Sequence, residues 1–274
     1  MEIEPLDLRY TEHPVFTPPE DLQAVVWRYI DFTKLVSMLD TQSLFFACAE
    51  RLSDPFEGSL SRVNPLVRPL MYPELYKQPV ATENLDAMWS FLAEMRLKAR
   101  RETFINCWSM NQRESAALWG LYVPPTGGVA IRSTFERLRS AFGPIESLPE
   151  SDPTPRVYIG RVQYMDYDAD WIPEGNALAP FVHKRHSFEF EGELRAVYCS
   201  RQAADGERDE RCVDPDEQVP QGVRVSVDLD RLIERVHVSP AAPAWLAELV
   251  KKVCLRYGLA APVVQSDLAG TPVY

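Results

Sequence analysis

An excess of basic residues is the first thing that this sequence lacks. Its 274 residues include 29 lysines and arginines against 40 aspartates and glutamates, which gives a net charge of 29 − 40 = −11. A protein that binds nucleic acid without sequence preference needs a basic surface to neutralise phosphates. The composition therefore argues against general nucleic-acid binding, although it leaves room for a local basic pocket.

Long hydrophobic runs are also missing. No apolar run approaches the roughly 20 residues that a helix needs to cross a bilayer, and residues 1–5 (MEIEP) are acidic rather than apolar. We therefore expect no membrane partner and no signal peptide. The five cysteines are scattered and lack CxxC spacing, which predicts reduced thiols in a cytoplasmic protein.

Histidine is scarce as well, with four in the chain, and only His183 and His186 lie close in sequence. We therefore expect no metal site. The remaining composition, 46% hydrophobic and 25% charged, is ordinary for a globular protein, so disorder is not the expected state. Residues 204–217 hold two arginines against seven acidic residues, or 2 − 7 = −5, and predict a solvated loop.

Apolar periodicity predicts an α+β fold with a mixed, largely antiparallel sheet and flanking helices. Residues 1–23 carry four prolines and no clear periodicity, which predicts an extended N-terminal arm before a single domain at 24–274. Residues 61–81 are expected to be irregular. Strands are predicted at 24–30, 44–47, 104–109, 127–131, 157–167, 194–199, 223–227, 236–238 and 262–265. Helices are predicted after Asp31 and at about 83–101, 114–122, 134–142, 229–235 and 239–257.

An arginine stands between two aromatic residues, Trp27 and Tyr29, in the first predicted strand. Side chains alternate between the faces of a strand, so aromatic rings in the core would place Arg28 on the opposite face. A guanidinium there can bind a phosphate or a carboxylate through two parallel hydrogen bonds. The alternative is a surface arginine whose aliphatic stem lies over the sheet edge.

A second candidate region follows the strand predicted at 104–109. That strand ends at Ser109, and the next predicted helix begins with Glu114 and carries Trp119 and Tyr122. A hydroxyl, free helix N–H groups and aromatic rings suit an anionic or nucleotide ligand. No GxSxG elbow surrounds Ser109, which argues against a serine nucleophile. The alternative is a capped helix with tryptophans in the core.

The densest cluster of charged residues lies between Lys184 and Arg195. Glu191, Glu193 and Arg195 alternate, and would share one face of an extended segment. Two carboxylates beside a guanidinium form a coupled set in which one pKa can be shifted for catalysis. Glu57, in a predicted turn, is a further candidate carboxylate at a pocket. The alternatives are a solvated charge ladder on an edge strand and, for Glu57, pairing with an arginine.

In their order along the chain, these elements resemble the DUF2971 family of uncharacterised bacterial proteins. The resemblance covers about residues 24–270 and implies a bacterial protein without implying an activity. The matching segments include Trp27-Arg28-Tyr29, Asp54-Pro55-Phe56-Glu57, Cys107-Trp108-Ser109, Glu114-Ser115, Phe188-x-x-Glu191-x-Glu193-x-Arg195 and Val238-Ser239-Pro240.

A second resemblance is to ADP-ribosyltransferases that carry an arginine, a serine and a glutamate on an early, a middle and a late strand. Arg28, Ser109 and Glu193 follow that order, with Glu191 just before the last. The resemblance implies a similar fold, NAD as cofactor, Arg28 and Ser109 in its site, and Glu193 as the catalytic carboxylate with Glu191 as helper. This sequence departs from the pattern of that family in two places: its middle segment is Cys-Trp-Ser, and its late segment carries the additional Arg195.

The expected function is therefore an NAD-dependent ADP-ribosyltransferase-like or NAD-hydrolysing enzyme that binds a phosphate-bearing small molecule. One alternative is a non-catalytic ligand- or protein-binding module in a bacterial defence or stress system. The other is a hydrolase or nuclease that holds a divalent ion with Glu57, Glu114, Glu191 and Glu193. Further residues predicted to bind the cofactor are Trp119, Tyr122, Lys184 and Arg195.

Overall fold

The computed structural model describes residues 4–77, 82–124, 126–144, 154–200, 219–270 and 272–273. These residues form a ten-stranded sheet with helices packed against it, and a separate sheet of two short strands. Neighbouring strands of the large sheet run antiparallel, except for one parallel pair near each end of the sheet. The predicted α+β class with a mixed, largely antiparallel sheet is therefore confirmed.

The predicted strands and helices occur along the chain in the predicted order, with additional short elements between them. The strands are β1 (Arg9–Tyr10), β2 (Val25–Asp31), β3 (Ser43–Cys48), β4 (Thr103–Met110), β5 (Gly128–Thr134), β6 (Arg156–Arg161), β7 (Gln163–Met165), β8 (His183–Arg185), β9 (Glu193–Cys199), β10 (Gly222–Ser226), β11 (Arg235–Val238) and β12 (Val263–Gln265). The helices are α1 (Phe32–Thr41), α2 (Asn64–Met71), α3 (Pro73–Lys77), α4 (Thr82–Glu102), α5 (Ala116–Tyr122), α6 (Phe135–Ser140), α7 (Leu229–Leu232) and α8 (Ala244–Arg256).

Strand β4 is the point at which the large sheet divides. The main order is β1-β6-β9-β4-β2-β5-β11-β12, and a branch of β3 and β10 joins at β4. The first half of β4 pairs with β3, where Ile105 lies opposite Ala47. The second half pairs with β2, where Ser109 lies opposite Trp27. Between these two stretches, Cys107 has no strand neighbour on this side within the described residues, and the sheet opens there.

The main core lies between the sheet and helices α1, α6 and α8. Helix α1 begins where expected because Asp31, its N-cap, accepts a hydrogen bond from the backbone N–H of Lys34. Leu35 and Leu39 on one face of α1 are buried in that core. The opposite side of α1 therefore faces the opening between β2 and β3.

The predicted N-terminal arm lies against the domain through apolar side chains. Leu6 and Leu8 are buried, and β1 adds a short parallel strand beside β6. Close approach of the arm requires a glycine, because a Cβ at Gly160 would lie 2.7 Å from the backbone of Phe16.

Three predicted elements differ from the structure. The single strand predicted at 157–167 is two strands, β6 and β7, and β7 pairs with β8 in the separate two-stranded sheet. The segment 61–81 was expected to be irregular, but it contains α2 and α3; Pro65 lies in the first turn of α2, where a missing N–H is tolerated. The last helix begins at Ala244 after Pro243, instead of at residue 239. The predicted acidic loop at 204–217 lies outside the described residues. Among the described helices, none combines the length and the apolar character that crossing a membrane requires.

Candidate functional site

A cavity of about 560 Å³ opens where the sheet divides at β4. Side chains from β2, β3, β4, β10, α1 and α5 line it, together with residues from the segment that leads into β9. Six of the eight predicted site residues are among the lining residues: Arg28, Ser109, Tyr122, Lys184, Glu191 and Glu193.

Arg28 supplies a positive charge to the wall of this cavity. Its Nη1 donates a 2.5 Å hydrogen bond to the Cys107 carbonyl, which β4 leaves free where the sheet divides. Among the described residues no carboxylate pairs with Arg28, and burial lowers the pKa of its guanidinium. Arg28 lines the cavity at the point where β2 parts from β4, so it is not the surface arginine that the alternative supposed. The guanidinium is therefore placed to bind an anion.

Ser109 connects β4 to the segment that carries the carboxylates. Its Oγ donates a 2.5 Å hydrogen bond to the backbone carbonyl of Glu191 and accepts one of 2.7 Å from Asn111 Nδ2. With both of these bonds made, the hydroxyl orders the site and does not act as a free nucleophile.

Glu191 and Glu193 line the cavity from two different secondary structures, a 3-10 turn and a β-strand. Glu191 ends a 3-10 turn at residues 186–191, and Gly192 follows with φ of +50°, in the left-handed region that favours glycine. Glu193 begins β9 and shares its face with Arg195. The predicted three-residue alternation on one extended segment is therefore correct only for Glu193 and Arg195.

Lys184 joins the carboxylates into one cluster. Its Nζ lies 2.5 Å from Glu191 Oε2, 2.9 Å from Glu193 Oε2 and 3.7 Å from Glu57 Oε1. Burial alone would lower the pKa of this amine, but Glu193 and the other carboxylates raise it above its ordinary value. Lys184 is therefore charged across the physiological pH range and occupies the space between the three carboxylates.

Arg195 lies beneath the cavity and does not line it. Its side chain is fully buried, and two hydrogen bonds of 2.7 Å join it to the two carboxylate oxygens of Glu57. It also donates to both oxygens of Glu193, at 2.8 and 3.1 Å. The structure thus does not bring Arg195 to a cofactor, and the alternative of Glu57 paired with an arginine is confirmed. The alternative of a solvated charge ladder is wrong, because β9 lies between β6 and β4.

The charges of the five ionised side chains in this cluster do not sum to zero. Glu57, Glu191 and Glu193 contribute three negative charges, and Lys184 and Arg195 contribute two positive ones, or 2 − 3 = −1. All five side chains are at least nine-tenths buried. Low dielectric surroundings strengthen the field of an uncompensated charge, so this end of the cavity favours a cation.

The two glutamates that line the cavity differ in their remaining capacity for hydrogen bonds. Glu193 accepts from Lys184 once and from Arg195 twice, and it also interacts with the Cys107 thiol, which fills the roughly four acceptor positions of a carboxylate. Burial would raise the pKa of Glu193, but the neighbouring cations lower it overall. Among the described residues, the Glu191 carboxylate accepts hydrogen bonds only from Tyr122, at 2.6 Å, and from Lys184. Glu191 is therefore the carboxylate with acceptor positions left for a ligand.

The two predicted aromatic residues have different environments. Tyr122 is half exposed and lines the cavity; burial and its bond to Glu191 raise the pKa of its hydroxyl, so it stays a donor. Trp119 is 4% exposed, packs edge-on against Tyr29, and donates from Nε1 to Glu114 at 2.8 Å. Trp119 does not line the cavity, so its prediction as a cofactor-binding residue is wrong.

Several lining residues were not predicted from the sequence. Phe45 on β3 is 43% exposed, and its signal was present in the alternation of β3, which buries Leu44 and Phe46 on the other face. Arg224 on β10 lies directly opposite Phe45. A single arginine in a short strand carries no distinguishing pattern, so Arg224 could not have been found. Lys34 and Ser37 of α1 complete this wall.

The carboxylates are not arranged around a metal position. Within the described residues no group of histidine, cysteine, aspartate or glutamate side chains could hold an ion. Lys184 fills the space between Glu57, Glu191 and Glu193. Glu114, the fourth carboxylate of the metal-dependent alternative, bonds instead to Trp119, Ser266 and Asp267 and does not line the cavity.

Comparisons with known proteins yield one similar structure. No protein-family model matches the chain, so membership of DUF2971 stays a prediction. No curated protein matches it either. Among solved structures, the chain is similar to Thermus sp. 2.9 DarT in complex with carba-NAD+, at 10% sequence identity and a TM-score of 0.35 over 92% of this chain and 98% of that one.

Proposed function

We propose that the protein cleaves the bond between nicotinamide and ribose in NAD+, as an ADP-ribosyltransferase-like or NAD+-hydrolysing enzyme. One observation carries the proposal: Arg28, Ser109 and Glu191 line a single cavity, with an unpaired guanidinium in one part and an excess of carboxylate in another. NAD+ has the same distribution of charge, with an anionic pyrophosphate and a cationic nicotinamide ring.

Arg28 is the proposed partner of the pyrophosphate. A guanidinium offers donors in a planar fork that matches two phosphate oxygens. One N–H of Arg28 is held by the Cys107 carbonyl, which fixes the direction of the fork before the ligand arrives. Pre-orientation of this kind reduces the entropy lost on binding.

Glu191 is the proposed catalytic carboxylate, in preference to the sequence-based assignment of Glu193. Glu193 has its acceptor positions filled by Arg195, Lys184 and Cys107, whereas Glu191 retains free ones. A fixed carboxylate stabilises the positive charge that develops on the ribose as the glycosidic bond breaks. Ser109 holds the backbone of Glu191, and Tyr122 holds its carboxylate.

The bond changes are simple. The C1′–N bond of the nicotinamide riboside breaks, and its electron pair remains on the ring nitrogen, so nicotinamide leaves as a neutral molecule. Water or the nucleophile of an acceptor then bonds to C1′ and loses a proton. The half-exposed ring of Tyr122 is suited to pack against the nicotinamide or the acceptor.

The direct test is nicotinamide release measured chromatographically, together with thermal unfolding at millimolar NAD+. We expect release by the wild-type protein and a rise in Tm, since a ligand that binds the folded state stabilises it by mass action. Glu191→Gln should reduce release by about 100-fold or more while NAD+ binding persists. Arg28→Gln should weaken binding itself.

Glu189→Gln is the matched control, because the Glu189 side chain lies in the same turn but is 68% exposed, and His186 is its only charged partner within the described part of the chain. It should release nicotinamide at the wild-type rate. Absence of both nicotinamide release and a Tm rise at millimolar NAD+ would contradict the proposal.

A non-catalytic binding module is the second candidate, and one observation favours it. Leu66 and Leu70 on helix α2 are 76% and 79% exposed, and exposed apolar side chains of this kind occur at protein interfaces. This function predicts ligand or partner binding without turnover. Nicotinamide release that is abolished by Glu191→Gln separates the two.

A further inference from the structure

A second group of cations lies in the wall that β3, β10 and α1 contribute to the cavity. Lys34, Ser37, Ser43, Phe45 and Arg224 line this wall. The carboxylates that line the cavity, Glu57, Glu191 and Glu193, come from other segments. Strand β10 is separated from β9 by β3 and β4, which places the two backbones about 14 Å apart across three strand spacings.

Arg224 is held in position without having its charge neutralised. Its Nη1 donates to Ser37 Oγ at 3.1 Å and to Thr41 Oγ1 at 3.3 Å, both on α1. No carboxylate among the described residues pairs with it. The rest of the guanidinium is therefore free to bind an anion, and its position is already set by the two hydroxyls.

An exposed aromatic ring lies beside this guanidinium. Phe45 and Arg224 occupy opposite positions on antiparallel strands, so their side chains share a face of the sheet. The Phe45 ring packs over Gly222, where a Cβ would lie 2.5 Å from it. A flat ring next to a fixed cation suits a base and a phosphate of the same nucleotide.

The order of groups along the cavity follows strand β4. Glu191 is bonded at Ser109, Arg28 is bonded at Cys107, and β3 pairs at Ile105. These three positions are two residues apart, or roughly 7 Å each. A dinucleotide with its nicotinamide ribose at Glu191 and its pyrophosphate at Arg28 would extend its adenosine towards Phe45 and Arg224.

The geometry points to a second anion subsite at Arg224 that takes a phosphate on the adenosine ribose, so that the cavity selects NADP+ over NAD+. A carboxylate near that ribose favours NAD+, whereas an arginine accommodates the 2′-phosphate of NADP+. Here the wall supplies an arginine and a lysine and no carboxylate. This inference rests on the proposed dinucleotide site and names its preferred substrate.

The test is a comparison of dissociation constants for NADP+ and NAD+ by titration calorimetry at fixed ionic strength. Hydrogen bonds to a charged group contribute about 1.5–3 kcal/mol, so NADP+ should bind at least about tenfold more tightly. Arg224→Gln should reduce that ratio by about tenfold, and Lys34→Gln should reduce it less, because Lys34 is 70% exposed and shares its charge with Asp31. Arg256→Gln on α8, outside the cavity, is the control and should leave the ratio unchanged.

Equal loss of affinity for both dinucleotides in Arg224→Gln would overturn the inference, since the guanidinium would then serve the shared pyrophosphate. Arg224 hydrogen-bonds α1 from β10, so the Arg224→Gln result is used only if thermal unfolding of that variant remains cooperative. If it does not, the ratio of the dissociation constants for NADP+ and NAD+ is compared in Lys34→Gln instead.

Adenosine 2′,5′-bisphosphate, adenosine 3′,5′-bisphosphate and 5′-AMP separate this inference from the proposed reaction, since none contains nicotinamide. Tighter binding of either bisphosphate than of 5′-AMP, lost in Arg224→Gln, supports the subsite even if no nicotinamide is released. A larger gain for the 2′,5′-bisphosphate supports NADP+, whereas a larger gain for the 3′,5′-bisphosphate would place the phosphate on the 3′-hydroxyl and would overturn the selection of NADP+. No gain for either bisphosphate overturns the subsite and leaves nicotinamide release from NAD+ as an independent result.

Discussion

The hydroxyl of Tyr122 lies 2.6 Å from Oε1 of Glu191, although 69 positions separate the two residues in the chain. The bond fixes one carboxylate oxygen, while Lys184 fixes the other. It is also the contact that links helix α5 to the turn before β9. The orientation of Glu191 therefore depends on an element that contributes no charge of its own to the cluster.

Tyr122→Phe removes this bond and keeps the aromatic ring. A hydrogen bond to a charged group is worth about 1.5 kcal/mol or more, so kcat for nicotinamide release should fall about tenfold. KM should change little, because the ring that contacts the ligand remains. Steady-state kinetics on NAD+ measure both constants. Tyr257→Phe, which does not line the cavity, should behave as wild type; an equal fall in that variant would contradict the assigned role.

Glu57→Gln should destabilise the protein strongly. Glu57 accepts two hydrogen bonds of 2.7 Å from the fully buried Arg195, and removal of one partner from a buried ion pair costs about 3–5 kcal/mol. Urea-induced unfolding followed by circular dichroism gives the free energy of unfolding. The control is Glu50→Gln, which breaks an exposed pair with Arg101 and should have a much smaller effect. Similar losses in both variants would argue against a buried cluster.

The pH dependence of stability follows from the directions of two pKa shifts. Glu193 has a lowered pKa in the folded state, so its contribution is present above its unfolded pKa of about 4.3 and is lost as the pH falls through the folded value. Lys184 has a raised pKa, so its contribution is present below about 10.4 and is lost as the pH rises through the folded value.

The cluster should therefore leave Tm flat between about pH 5 and 9 and contribute to a fall in acid. Glu193→Gln should lower Tm at neutral pH, because Lys184 and Arg195 lose a counter-charge, and should make the acid decline shallower. Scanning calorimetry from acid to neutral pH measures both. An acid decline as steep as that of wild type would show that Glu193 is not the group responsible.

The elements with local signals were predictable from the sequence, and the site was predictable in part. Apolar alternation predicted β2, β4 and β9, and Asp31 marked the start of α1 because an N-cap is a local feature. Arg28 and Ser109 stood out as polar residues in predicted strands, and Glu191 stood out by its alternation with Glu193 and Arg195. Each of these signals extends over fewer than ten residues.

The division of the sheet was not predictable in this way. It depends on β4 pairing with β3 over one half and with β2 over the other, and such register is set by long-range packing. The prediction that Glu191 shares a face with Glu193 and Arg195 was wrong for a related reason: Gly192 adopts a left-handed conformation that takes Glu191 off the strand. Arg224 enters the cavity from β10, far along the chain from Arg28, and no local pattern marks it.

Gly192→Ala tests whether that left-handed residue directs Glu191 into the cavity. The backbone φ of +50° is unfavourable for alanine, and a Cβ would lie 3.0 Å from the carbonyl oxygen of Met110. The strain should cost about 1–2 kcal/mol of stability. It should also displace Glu191 from Tyr122, so that kcat for nicotinamide release falls more than NAD+ affinity does. Gly175→Ala is the matched control, because open space surrounds its Cβ position, and it should change neither. Loss of stability in Gly192→Ala with unchanged kcat would mean that Glu191 keeps its position without the glycine, and the turn would then have only a structural role.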